Sequence, residues 1–290
     1  MALIPSFFLD CVVAIGFENP DGSRQYAATG FLYGNFIAQE GNGKTYKIYL
    51  VTNKHVFNDS KIAWLRFNPE GDEPAREYDI VLLDRDNNRT WKTHPDPDID
   101  LAIIEINATF LKSQGIRFEF FRSDQHLITK AQAAEAGISE GDGVFVLGFP
   151  MGMIGEKRNF VIVKQGAIAR IRDALTGNAK EFLVDTSIFP GNSGGPVISR
   201  PEIVSIQGTQ PYSRSSLLGI VASYVPYQDV AISMQTKRPR VIFEENSGLA
   251  SIVLVDYLVE IVDAIPAVLE HVNQQPPVEV PQALPEEPST

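Results

Sequence analysis

The feature that most narrows the fold is the rhythm of the chain: short apolar runs, each too brief for a packed helix, are cut apart by clusters of turn-forming residues. The first series is Cys11–Phe17, Tyr26–Tyr33, Lys47–Thr52, Lys61–Phe67, Tyr78–Leu83 and Leu101–Ile106. Between these runs stand Asn19-Pro20-Asp21-Gly22, Glu40-Gly41-Asn42-Gly43, Pro69-Glu70-Gly71-Asp72 and Arg85-Asp86-Asn87-Asn88. Strands recurring every 8–12 residues or so predict a β-barrel or sandwich, and six before residue 110 fit one small barrel. A second series, Gly143–Gly148, Phe160–Ile171, Glu181–Thr186, Pro196–Ile198 and Ser216–Tyr224, predicts a second β module of similar size. The two join around residues 108–135, where Ala131–Ala136 followed by Gly137 predicts a short helix with a glycine stop. No sequence repeat relates the halves.

From Ser247 to Val272 the period changes. Leu249, Ile252, Val253, Val255, Leu258, Val259, Ile261, Val262 and Ile265 recur at helical spacing, with Ser247 as N-cap and Pro266 as a kink or stop. The residues beyond Gln274 are rich in proline and glutamate and read as a disordered tail. The expected organisation is therefore an N-terminal barrel over residues 1–125, a second barrel over 126–245, a helix over 246–272 packing on the barrels, and a tail over 273–290.

A chain of 290 residues can bury one large or two small cores. Its net charge of −11 argues against a general nucleic-acid or anionic-membrane binder, which needs a surplus of lysine and arginine. The basic cluster Lys237-Arg238-Pro239-Arg240 reads as a solvated loop. A single cysteine, Cys11, forbids any intramolecular disulfide and sits in an apolar run as a core residue. The N-terminus lacks a basic region ahead of its apolar residues, Asp10 interrupts it, and no apolar run approaches the roughly 18 residues of a membrane span. On these grounds the chain reads as cytoplasmic.

The chemistry gathers at Phe189-Pro190-Gly191-Asn192-Ser193-Gly194-Gly195-Pro196. A serine bracketed by glycines lies on a tight irregular turn that presents its hydroxyl. Glycine admits positive φ, so the bare amides of Gly191 and Ser193 can converge on a developing oxyanion. A nucleophilic serine needs a base. Among the four histidines, His55 directly follows the apolar strand Tyr49–Thr52, whereas His94, His126 and His271 read as surface residues. Asp100 opens the apolar run Leu101–Ile106, where a carboxylate needs hydrogen-bond donors such as an imidazole N–H; Asp98 is the alternative, further into the polar loop. His94, Asp96, Asp98 and Asp100 raise the question of a metal, but the intervening prolines prevent a regular ligand face, and neither a metal nor a cofactor is expected. Gly43-Lys44-Thr45 lacks the leading glycine of a phosphate loop and reads as a hairpin turn.

The chain order His55, Asp100, Ser193 is that of the chymotrypsin-type triad. Leu50–Val56 resembles the catalytic-histidine segment of trypsin-like serine peptidases of the bacterial, disulfide-free kind related to the HtrA proteases. Asp100-Leu101-Ala102-Ile103 resembles the aspartate segment, Gly191–Pro196 the nucleophile segment, and Gly141–Pro150 the strand that opens the second barrel. With Ala28-Thr29-Gly30-Phe31, the resemblance covers about residues 10–230. It implies two antiparallel six-stranded barrels with the catalytic cleft between them. Ser193 would be the nucleophile, His55 the general base, Asp100 its orienting acid, and the Gly191 and Ser193 amides the oxyanion hole. Ser187 matches the base of the primary pocket and Ala222-Ser223-Tyr224 its wall strand, which disfavours basic residues at the cleavage position and favours uncharged ones. The implied partners are protein or peptide substrates.

Two departures qualify the resemblance. Asn192 replaces the aspartate that in digestive members pairs with a released N-terminus, and no PDZ-like module follows Tyr224. The leading expectation is a serine endopeptidase. A latent or partner-activated binding module, and an esterase acting on small acyl substrates, are the alternatives. The oligomeric state is left open.

Overall fold

The structure, a computed structural model, describes residues 3–19, 21–41, 43–57, 60–203 and 210–265. It is mostly β, in a chymotrypsin-like arrangement of two sheets packed across a common seam. The first sheet holds β1 (Val12–Glu18), β2 (Arg24–Glu40), β3 (Gly43–Thr52), β4 (Ile62–Phe67), β5 (Arg76–Val81), β6 (Lys92–Thr93), β7 (Ala102–Glu105) and β8 (Phe121–Arg122). The second holds β9 (Gly143–Gly148), β10 (Ile162–Arg170), β11 (Glu181–Asp185), β12 (Pro196–Ser199), β13 (Leu217–Ile232) and β14 (Pro239–Leu254).

Both sheets are antiparallel except where the short β8 pairs in parallel with β2. The second closes as a six-stranded barrel in the order β10-β11-β14-β13-β12-β9. The first does not close by strand pairing, contrary to the expectation of two six-stranded barrels: its eight strands run β5-β4-β1-β2-β3-β7-β6, with β8 on β2. The gap is filled by irregular chain. The Thr90 N–H donates to the Leu82 carbonyl at 3.1 Å and its hydroxyl to the Val81 carbonyl at 2.6 Å, and the buried Trp91 packs there on Phe57.

Alternation along each strand explains the packing. On β3, Leu50 points into the first sheet's core while Tyr49 and Val51 point into the seam; on β9, Val144 and Val146 fill the second barrel while Phe145 and Leu147 face the seam. Strands buried on both faces lose the apolar/polar alternation and become continuous apolar runs.

That ambiguity accounts for the largest error of the sequence reading. Residues from Ser247 do not begin a helix; they belong to β14, and the helix spans Val255–Asp263. Ala250, Ile252 and Leu254 fill the barrel while Val253 faces the seam, so a strand buried on both sides mimics helical spacing. Ser247 instead donates its hydroxyl to the Val225 carbonyl, across the base of the β13–β14 hairpin. The helix packs Val255, Leu258, Ile261 and Val262 into the seam, touching both sheets. The expected tail lies outside the described residues. Ala131–Ala136 falls on a short helix, Lys130–Glu135, opened by a reciprocal Thr129–Gln132 capping box.

Of the histidines expected at the surface, His94 is buried and His126 half-buried. His94 is 9% exposed, accepting the Asp96 N–H at Nδ1 and meeting Glu260 of the terminal helix through Nε2. His126 packs against Phe7 and Phe8 and accepts the Arg122 N–H at Nδ1. His271 lies outside the described residues. Burial, reinforced by the nearby Arg122 charge, lowers the His126 pKa from 6.5 to about 4. The unfolded chain therefore binds the extra proton first, and the stability this contributes is complete above pH ~6.5 and is lost as pH falls toward 4. Thermal denaturation across that window should show a steeper acid-side loss of Tm for wild type than for His126→Phe.

Candidate active site

β3 ends at Thr52, and the single helical turn Lys54–Phe57 that follows carries His55. Asn53 anchors this corner by donating its Nδ2 to the Asp100 carbonyl at 2.8 Å. Asp100 sits just before β7, the neighbour of β3, so two adjacent strand ends deliver the imidazole and the carboxylate to one place. Asp100 Oδ2 lies 2.5 Å from His55 Nδ1, and Oδ1 accepts the His55 backbone N–H at 3.0 Å. One carboxylate thereby fixes both the ring and the backbone of a single residue. Desolvation opposes the Asp100 charge, but the His55 hydrogen bonds and charge outweigh it and hold the carboxyl below its ordinary range. Asp98, the alternative acid, pairs instead with Lys180 at 2.9 Å. Asp96 meets the same lysine at 2.7 Å.

Ser193 lies on the turn between β11 and β12, and this turn is pinned to the first sheet at several points. Thr29, fully buried on β2, donates its hydroxyl to the Gly191 carbonyl at 2.6 Å and accepts the Phe149 N–H at 2.9 Å. The Thr29 N–H donates to the Ser193 carbonyl at 3.0 Å, and the Thr29 carbonyl accepts the Thr52 hydroxyl at 2.8 Å. A Cβ on Gly194, whose φ is +80°, would collide with Thr52 and with the Thr29 carbonyl. The turn is thus packed on the residue three positions before His55.

Within the turn the backbone donors divide into two sets. Asn192 donates to the Phe189 carbonyl, Gly194 to Val221 and Gly195 to Asn192. The N–H groups of Gly191 and Ser193 take no partner among the described residues. Gly191 has φ +99°, and the Pro190 carbonyl is drawn away to the Met151 N–H at 2.6 Å, which turns the Gly191 N–H in the opposite direction. Asn192 is buried, and its Oδ1 accepts the Phe189 N–H at 3.0 Å, holding the turn from within. Its Nδ2 is unpaired among the described residues.

A family model described as a trypsin-like peptidase domain matches residues 28–202. The chain belongs to that family. Among curated relatives, a probable periplasmic serine endoprotease DegP-like of Pseudomonas fluorescens is 27% identical over 223 residues, covering 76% of this chain and 37% of the relative. A protein of the same name from Chlamydia pneumoniae is 27% identical over 184 residues, covering 63% of this chain and 28% of the relative. The chain therefore spans about a third of the length of the curated relatives it matches. A solved structure titled "Structure of GrC" aligns over 90% of this chain and 97% of its own at 14% identity, with a TM-score of 0.46.

The residues named for substrate contact fall on the second barrel around the same turn. Ser187 lies six residues before Ser193, and its carbonyl accepts the Lys164 ammonium. Ala222 is buried, Ser223 is exposed, and the Tyr224 hydroxyl donates to Glu244 at 2.5 Å. Three residues beside this turn are not evident from the sequence. Thr29 was noticed only as part of a matching segment, and its role as a clamp depends on contacts 120 and 162 residues away. Lys164, on β10, reaches Ser187 and stacks over the Phe189 ring at 4.6 Å, with burial lowering its pKa. Asn246, on β14, donates to the Ile188 carbonyl at 2.5 Å, from a stretch assigned to the edge of a helix.

Removing the Thr29 hydroxyl while keeping its shape leaves a buried acceptor at Gly191 and a buried donor at Phe149. Thr29→Val should lower stability by about 2 kcal/mol in chemical denaturation. It should also slow labelling of the protein by a fluorophosphonate, whereas Thr29→Ser should preserve both.

Proposed function

We propose that the chain is a serine endopeptidase that cleaves protein or peptide bonds through an acyl-enzyme, with Ser193, His55 and Asp100 as its triad. The observation that carries this reading is the pairing of His55 with Asp100 beside a turn in which only the Gly191 and Ser193 amides, of those between Gly191 and Gly195, are left to bind something else. Asp100 accepts at His55 Nδ1, which leaves Nε2 as the site that receives the Ser193 hydroxyl proton. Ser193 Oγ then attacks the scissile carbonyl, and the carbonyl oxygen, now negative, is held by the Gly191 and Ser193 N–H groups. His55 returns the proton to the leaving amine. Water, deprotonated by the same imidazole, hydrolyses the acyl-enzyme.

The endopeptidase reading is favoured over a latent module by the Pro190 carbonyl, which is bonded to Met151 rather than turned into the space the oxyanion needs. Asn192 supports the same reading, because it holds the turn through Phe189 and calls for no inserted N-terminus. At the cleavage position, the Lys164 ammonium next to Ser187 repels lysine and arginine, so neutral or acidic side chains fit the pocket better.

No helix among the described residues is long and apolar enough to cross a membrane. The curated relatives carry "periplasmic" in their names, which favours that compartment over the cytoplasmic expectation.

Ser193→Ala should abolish fluorophosphonate labelling and lower peptide turnover by roughly 10⁶. Asp100→Asn should leave labelling detectable but cut turnover by about 10⁴, because the imidazole is then held in the wrong tautomer. Equal labelling of wild type and Ser193→Ala would refute the assignment.

A further inference from the structure

β13 and β14 are each 16 residues long, and the barrel uses no more than half of either. β11 pairs with β14 only from Leu249 to Val253, and β12 pairs with β13 only from Leu217 to Ile220. Beyond these the two strands run on as a bare two-stranded ribbon, in register from Pro226↔Asn246 to Ala231↔Val241. Such a ribbon is marginal by itself in water. This one is also apolar where it is wet: Val241, Ile242 and Phe243 are 50%, 60% and 55% exposed. The basic stretch read as a solvated loop is the tip of this ribbon and its return strand.

The two edges of the ribbon differ. On β13, Pro226 has no N–H, and the Val230 N–H is bonded to the Asp229 carboxylate at 2.8 Å, so the edge is blunted. On β14, no strand among the described residues pairs the outer edge from Arg240 to Glu244, although the Glu244 carboxylate accepts from the Tyr224 hydroxyl and from Gln228 Nε2 of β13. Its hydrogen-bonding direction follows from Val230. Opposed residues in an antiparallel ladder exchange both bonds or neither. Because the Val230 N–H is turned away from the ladder, its partner Ile242 also directs its N–H and C=O outward.

The sequence along that edge is Arg240-Val241-Ile242-Phe243-Glu244. Laid antiparallel on a second copy of itself about a two-fold axis at Ile242, it is self-complementary. Ile242 meets Ile242 and exchanges two backbone hydrogen bonds, Val241 meets Phe243, and Arg240 meets Glu244 at both ends. Opposite charges and apolar β-formers directly across from each other are the pairs that stabilise sheets. The contact is isologous and closed, so it makes dimers rather than fibres.

We propose that the β14 edge of the hairpin is a homodimerisation surface, whose occupant is the β14 edge of a second copy of this chain. The product is a four-stranded antiparallel sheet, which removes the free edge and adds the third and fourth strands the ribbon needs. The inference does not depend on catalysis.

Sedimentation equilibrium on full-length Ser193→Ala tests it, since that variant cannot digest itself if the peptidase reading is right. The mass should rise from 32.0 kDa toward twice that value as concentration increases to about 100 µM. Either charge reversal alone, Arg240→Glu or Glu244→Arg, should weaken association at least tenfold, and the two together should restore it. All four residue combinations place the changes on exposed positions, and circular dichroism checks that each protein folds. A monomer at every concentration would overturn the proposal, as would a dimer indifferent to both reversals. A monomer that instead binds an alternating Thr-Val peptide would also overturn it, by identifying the edge as a peptide dock. Loss of fluorophosphonate labelling in wild type with the dimer intact would count against the peptidase reading alone.

Discussion

The approach of the Ser193 turn to the first sheet depends on one buried hydroxyl. Thr29 reaches from the first sheet to the Ser193 turn of the second, giving its proton to Gly191 and accepting one from Phe149, while its backbone holds Ser193 and Thr52. Two sheets meeting through apolar side chains alone could slide by fractions of an ångström without much cost, because dispersion is not directional. A hydroxyl satisfied in both senses cannot. Its four contacts set the distance between the sheet that carries His55 and Asp100 and the turn that carries Ser193.

The turn uses glycine for two separate reasons. Gly191 adopts a positive φ, which lets the chain continue into the turn while the Pro190 peptide keeps its carbonyl on Met151 and, being planar and trans, its N–H on the opposite side. Gly194 is required by contact, since a side chain there would strike Thr52 and Thr29. The first requirement concerns where the free N–H points, and the second concerns how closely the turn can approach the strand end that carries His55. Asn192 then locks the result from inside, accepting from Phe189. The support of the turn is therefore built from neutral groups, and the Asp100 carboxylate that holds His55 is partly open to water.

Much of this was legible in the sequence because it is local. The six early strands, the short helix at Lys130–Glu135 and the glycine-bracketed serine all follow from neighbours within a few residues. His55 and Asp100 were readable because each abuts a strand, and a strand end presents its next side chains to a cleft. What failed was non-local. The end of β14, from Ser247, has helical spacing because a strand buried on both faces has no polar side, and the polar sequence neighbours of His94 and His126 say nothing of Tyr257, Phe7 or Phe8. The opening in the first sheet is unreadable for a related reason: whether β5 and β6 pair depends on the irregular chain between them. Thr29 looked like an ordinary strand residue until its partners beyond residue 148 came into view.

The most direct measurement of the account is a crystal structure of the protein after reaction with a small fluorophosphonate. The phosphorus should be bonded to Ser193 Oγ, with one phosphoryl oxygen accepting from both the Gly191 and Ser193 N–H groups and the Pro190–Met151 hydrogen bond intact. A phosphorus on another residue, or a turn that must flip the Pro190 peptide to accept the oxygen, would contradict it.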